Sequence, residues 1–284
     1  MVIEVICAPW SVGLRPGPGG TEPGAWQAPG ALVDAGLAER LGAVDVTRLP
    51  HPPYSVEPTS GTRIQNGLTV REHALRLADT VAGALTAGHR PLVLGGDCSI
   101  LLGCLAGARR QHHVGLIHVD GHTDFAHSGD QNPTELGTAA GMGLALATGR
   151  GELLLTHWPD TGTPLVTDDE VVQVGDRTGR PAPMRVIGIE ELLASGIDAT
   201  ARTVLKHLAG APRLWLHLDL DVLDGTVLPA VDSPGSPGLT FAQLTDLLTA
   251  LWRTGRIAGL DVTIYDPGQA HLPAIADCLV EGLT

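Results

Sequence analysis

The chain has 284 residues, 43% of them hydrophobic, and a mean hydropathy of +0.15, enough apolar side chain to bury a sizeable core and to exclude a wholly disordered polymer. Its net charge of −13 and pI near 5.2 count against a general nucleic-acid binder, which should carry a basic face, and disfavour an anionic membrane surface. Aromatic residues are only 3%, so Leu, Val and Ala must build the core.

Residues 2–10 read as a buried first strand. Glu4 interrupts the apolar run and no basic lead-in precedes it, so a signal peptide is not expected. The Gly/Pro-rich stretch 11–30 reads as loop and turn, and 31–42 as a helix that ends on Gly42. The most regular amphipathic helix spans 68–88, with Leu75, Ala78, Val81, Ala82 and Leu85 on its apolar face and Gly88 as its stop. A strand at 91–96, a helix at 99–110 and a strand at 114–120 follow. Further strands are expected at 184–189 and 213–221, a helix at 240–255 with Thr240 as its N-cap, and a last strand with its exit loop at 257–267. No run approaches the roughly 18 apolar residues of a membrane span. Cys7, Cys98, Cys104 and Cys278 are scattered without a CxxC, which suits a reducing cytoplasm. With no internal repeat and no linker, residues 1–284 are expected to form one domain.

Strands that alternate with helices mean βαβ units and a mainly parallel sheet covered on both faces. Ligands of such sheets sit beyond the carboxyl ends of the strands. Three of those ends are polar: Gly95-Gly96-Asp97-Cys98-Ser99, Asp120-Gly121-His122-Thr123-Asp124, and Asp219-Leu220-Asp221-Val222-Leu223-Asp224. In extended chain, Asp120, His122 and Asp124 point one way, as do Asp219 and Asp221. Four carboxylates and an imidazole at one sheet edge need a compensating charge, or they neutralise. Divalent metal supplies it. The oxygen-rich set favours Mn²⁺ or Fe²⁺, and the imidazole admits Zn²⁺. Five to six ligands exceed one tetrahedral site and suggest two metals that share carboxylates. Any one of these motifs alone is weak, since acidic pairs also cap helices or face solvent; the three in order, each after an apolar strand, are a stronger signal.

On these motifs the sequence resembles the ureohydrolase family of arginases, agmatinases and formimidoylglutamases. Residues 92–99 (LVLGGDCS) are similar to its GGDHS segment, 118–125 (HVDGHTDF) to DAHxD, 216–224 (LHLDLDVLD) to DxDxxDP, and 258–267 (AGLDVTIYDP) to its last strand. The resemblance implies a three-layer αβα fold with a mainly parallel central sheet and a binuclear site for two divalent metal ions, Mn²⁺ first with Fe²⁺ or Zn²⁺ as alternatives. It implies Cys98, Asp120, His122, Asp124, Asp219 and Asp221 as ligands, and Asp124 as the catalytic residue that orients a metal-bridging hydroxide. The substrate would be a small guanidino or amidino molecule, and a homo-oligomer is expected.

The departures bear on function. Cys98 stands where the family has a His ligand. Either it ligates as a softer thiolate, which favours Fe²⁺ or Zn²⁺, or it is an inert buried thiol and one metal is weakened or lost. The resemblance extends to a relative that acts on Nω-hydroxy-L-arginine and also carries Cys at this place. Ala140 fills the place of the family's proton-shuttling His; His127 and Glu135 in the same loop are substitutes or solvated residues. Ile264 fills the place of a Glu that pairs with the guanidinium, and Asp266 is a candidate replacement or a turn residue before Pro267. Asp261 is expected behind the ligands. Glu190 and Glu191 are tail contacts or an exposed helix start. His118 and His217 are supporting or core residues, and His51, His73, His89, His112, His113, His157, His207 and His271 are expected at the surface or in loops. The leading expectation is a binuclear-metal hydrolase of a linear amidine or guanidine C–N bond other than plain arginase. The alternative is a catalytically silent homologue that serves as a structural or regulatory subunit. GPGG at 17–20 is neither a P-loop nor a dinucleotide fingerprint, so nucleotide binding lacks support.

Overall fold

Apolar residues that alternate along each buried strand divide the interior into two cores, one on each face of a central sheet. A computed structural model describes residues 2–126, 136–268 and 271–284. Its strands are β1 (Val2–Ala8), β2 (Val46–Arg48), β3 (His89–Gly95), β4 (Val114–Val119), β5 (Val171–Val174), β6 (Arg185–Ile187), β7 (Arg213–Asp219) and β8 (Ile257–Thr263). They lie in the order β2-β1-β3-β8-β7-β4-β5-β6, and all the pairings are parallel.

The helices are α1 (Ala28–Asp34), α2 (Leu37–Arg40), α3 (Gly67–Thr86), α4 (Ile100–Arg109), α5 (Gly143–Ala147), α6 (Leu153–Thr156), α7 (Ile189–Ser195), α8 (Ile197–His207), α9 (Phe241–Trp252) and α10 (Leu272–Leu283). Ile6, Ala8, Val93, Leu116 and Trp215 face α3–α6, whereas Val5, Cys7, Leu92, Leu94, Ile117, Val119, Leu216 and Leu218 face α1, α2 and α7–α10. The result is the αβα sandwich expected from the alternation. No helix among the described residues is long and apolar enough to cross a membrane.

The structure refines the expected elements. The helix expected at 31–42 is two short helices, broken where the chain turns left-handed at Gly36 (φ 82°). The strands β2 and β5, too short to carry a periodicity, were not expected. Thr240 does cap α9: its side chain accepts the Gln243 N–H, and the Gln243 side chain accepts the Thr240 N–H in return. His73 is buried in α3, edge-on to the Trp10 ring, and not a surface residue as expected.

One row of the sheet departs from the apolar rule. Strand register aligns Gln173, His118, His217 and Asp261 across β5, β4, β7 and β8. All four are fully buried. The row lies immediately beneath the carboxyl edge where the polar motifs emerge.

Candidate metal centre

The chain leaves β3 through Gly96, which passes so close to the neighbouring loop that a Cβ there would lie 1.9 Å from the Trp10 carbonyl oxygen. Asp97 follows, fully buried. Its Oδ2 accepts the Gly13 N–H and its Oδ1 the Ser99 N–H, both at 2.8 Å, so it straps the 11–14 loop to the start of α4. Burial pushes its carboxyl up to about 6. Cys98 is thereby set at the sheet edge, its sulfur 2.7 Å from Asp219 Oδ2 and 3.2 Å from Thr263 Oγ1. Gly96→Ala is expected to cost about 3 kcal/mol, because backbone on both sides blocks the added methyl. Urea denaturation reads it as a lower midpoint at unchanged slope.

The second and third motifs converge by turns, not by extended pleating as expected. β4 ends at Val119 and β7 at Asp219. Asp219 Oδ1 accepts the Asp221 N–H at 2.7 Å, which closes a single 3-10 turn. Asp221 Oδ1 accepts the Gly121 N–H at 2.9 Å, and its Oδ2 lies 2.7 Å from His122 Nδ1. Asp120 Oδ1 accepts the His122 N–H at 2.6 Å, while its Oδ2 is buried 3.7 Å from His118 Nε2 and has no hydrogen-bond partner among the described residues. Asp124 has a left-handed backbone (φ 45°), held because its carbonyl accepts the N–H groups of Leu144 and Ala145 at the start of α5.

Two residues outside the expected set hold these turns. Gln173 Nε2 donates to the carbonyls of Asp120 and His122 at 2.8 and 2.9 Å. The Arg177 side chain donates to the carbonyls of Asp221 and Pro237, and its backbone N–H donates to Gly121 O. A lone Gln in the apolar run 171–174 is too short a pattern to have found the first of them without the sheet register.

Electrostatics describe a site short of positive charge. Burial and the Asp221 charge push Asp120 up to about 6, and burial with carboxylate neighbours raises Asp124 and Asp219 well above the usual carboxyl range. Burial, then Asp219, likewise raises the Cys98 thiol. His122 is pushed up to about 11 by its bonds to Asp120 and Asp221. Donor atoms of Asp120, His122 and Asp221 lie within 4.8 Å of one another, as do those of Cys98, His217 and Asp219. This mixed oxygen, nitrogen and sulfur set, with a buried orphan oxygen on Asp120, fits divalent cations.

Cys98, His122, Asp124, Asp219 and Asp221 line a cavity of about 720 Å³. Its walls include Ala140 and Ile264 together with Arg15, Arg180 and Asp232. Ile264 has φ 78°, an unusual conformation for a β-branched residue, and its N–H donates to Gly96 O at 2.8 Å. Asp266 is not in the cavity wall: it accepts the Gly268 N–H, as a turn residue does. Glu190 and Glu191 are exposed in the first turn of α7, away from the cavity wall, and Glu191 pairs with Arg185. His127 and Glu135 lie outside the described residues.

A family model described as the arginase family matches residues 3–277 of the chain. Arginase-1 of Homo sapiens is 30% identical over 292 residues, which span 95% of this chain and 87% of its own. The arginase of Bacillus caldovelox is 31% identical over 257 residues, spanning 85% and 83%. A solved structure of Bacillus caldovelox arginase superposes with a TM-score of 0.86 at 26% identity, covering 99% of this chain and 97% of that one. Proclavaminate amidino hydrolase from Streptomyces clavuligerus, at 19% identity and a TM-score of 0.70 over 99% of this chain and 90% of its own, shares the fold.

Proposed function

Since this chain belongs to the arginase family, we propose that it is a metal-dependent hydrolase that cleaves a C–N bond of a small guanidino or amidino substrate other than arginine. The observation that carries the reading is the convergence of four carboxylates, an imidazole and a thiol at one sheet edge, five of these six side chains lining one cavity. Asp120, His122, Asp124, Asp219 and Asp221, with the Cys98 sulfur, would hold two divalent cations, Mn²⁺ foremost. Bound there, the cations supply Lewis acidity and lower the pKa of water.

The chain's own residues do the rest. Asp124, fixed in its left-handed turn, orients the attacking water and takes its proton. Ala140 carries no proton, so the leaving nitrogen draws one from Asp124 or from water in the cavity. Ile264 offers an apolar wall to the substrate head, which leaves a permanently charged guanidinium unpaired. A less basic head, such as an N-hydroxyguanidine, suits that wall. Arg180 and Asp232 on the cavity wall suit the two charges of an amino-acid tail.

The test has two parts. Chelator-treated protein should gain about 4 kcal/mol of stability at a thousandfold excess of Mn²⁺ over its Kd, read as a raised Tm. The loaded protein should then turn over Nω-hydroxy-L-arginine at least about tenfold faster, in kcat/KM, than L-arginine. Metal binding without turnover of any guanidino or amidino compound would instead favour the silent-subunit reading.

A further inference from the structure

Beneath the carboxylates lies an imidazole that this ligand set does not use. His217 is fully buried on β7, two residues before Asp219 and on the same face of the strand. Its Nδ1 is 2.5 Å from Asp261 Oδ2, and Asp261 Oδ1 accepts the Trp215 Nε1–H at 2.5 Å. With Asp261 accepting from Nδ1–H, the neutral ring leaves Nε2 facing away with its lone pair, the form a cation would select over the protonated ring that Asp261 also favours. That Nε2 has no hydrogen-bond partner among the described residues. A fully buried nitrogen without a partner is costly, so its orientation asks for an explanation. The ring is also fixed in plane, stacked on His118 at 4.6 Å between centroids and 23° between planes.

The surroundings supply the explanation. A ring nitrogen of His217, the Cys98 sulfur and an Asp219 oxygen lie within 4.8 Å of one another. Nitrogens of His217 and of His118 also lie within 4.8 Å of an Asp120 oxygen, and Asp120 Oδ2, 3.7 Å from His118 Nε2, has no hydrogen-bond partner among the described residues. We propose that His217 is a metal ligand of this centre, supplying from β7 the imidazole that Cys98 does not supply from the loop after β3. The inference rests on the metal-centre reading above and extends its ligand set.

Three physical points carry it. Ligating histidines characteristically donate their second ring N–H to a carboxylate, which orients the ring and raises its basicity, and Asp261 does this here. A neutral imidazole adds a donor without adding negative charge to a shell already crowded with carboxylates. Finally, Asp261 is locked by Trp215, so the ring is held ready and little entropy is lost on coordination.

The experiment loads the full chain, with ring nitrogens of histidine labelled with nitrogen-15, with cadmium-113 and reads scalar coupling between metal and ring. Two histidine rings should couple to cadmium. One coupling should vanish in His122→Asn and the other in His217→Gln. Cadmium that couples only to His122, or a second coupled ring that survives His217→Gln, would overturn the assignment and leave the metal centre standing. Failure to bind cadmium at all would remove the centre and this inference together. Should His217→Gln not fold, the double variant His118→Asn/His122→Asn decides: a ring still coupled supports the inference, and the absence of any coupled ring refutes it.

Discussion

Asp124→Asn is expected to lower kcat by about 10³-fold, within the range that a lost general base produces, while the fold is unchanged. The substitution suits the backbone. Residue 124 has φ 45°, where Asn is among the best tolerated residues, and the two N–H groups from α5 are held by its carbonyl, which the change does not touch. The Asn carboxamide keeps one oxygen for a cation but loses the charge and the capacity to take a proton. Metal content measured by mass spectrometry should therefore fall less than activity does. A variant that keeps its metal and wild-type kcat would remove Asp124 from the chemistry. A variant that loses all metal would assign it to binding alone.

The carboxylates proposed as ligands were legible in the sequence because each follows an apolar strand, and strand ends in a parallel sheet are where ligands sit. Their convergence was legible too, though not its geometry. Asp221 and Asp124 reach the site through a 3-10 turn and a left-handed residue, conformations set by hydrogen bonds to Asp219 and to α5 that no spacing rule encodes. Gln173 was invisible for a different reason. The strand β5 is four residues long, so it offers no period, and a single Gln inside it reads as noise until register places it beside His118. The same holds for His118 and His217. In sequence each is an ambiguous polar residue two positions before an aspartate; across the sheet they form a continuous buried row with Asp261 and Gln173. Parallel register is the information that a single chain of letters lacks. It turns four isolated residues into a floor for the centre.

In the function proposed, substrate choice turns on Ile264, and Ile264→Glu is expected to raise kcat/KM for L-arginine by roughly 30–100-fold, the equivalent of a charged hydrogen bond of about 2–3 kcal/mol. The site tolerates the change in shape. A β-branched side chain is badly placed at φ 78°, whereas unbranched Glu relieves crowding at Cβ. It does not tolerate the charge without a partner. Ile264 is only 3% exposed, so the new carboxylate faces the existing ones in a poorly solvated wall and should destabilise the protein while the cavity is empty. A guanidinium that enters the cavity neutralises it. L-arginine should therefore raise the Tm of Ile264→Glu and leave that of the wild type nearly unchanged. Measuring kcat/KM for L-arginine and Nω-hydroxy-L-arginine side by side separates specificity from general damage, because damage lowers both whereas a repaired guanidinium contact raises only the first. Equal losses on both substrates would mean that position 264 does not face the substrate head, and the preference for a less basic group would lose its basis.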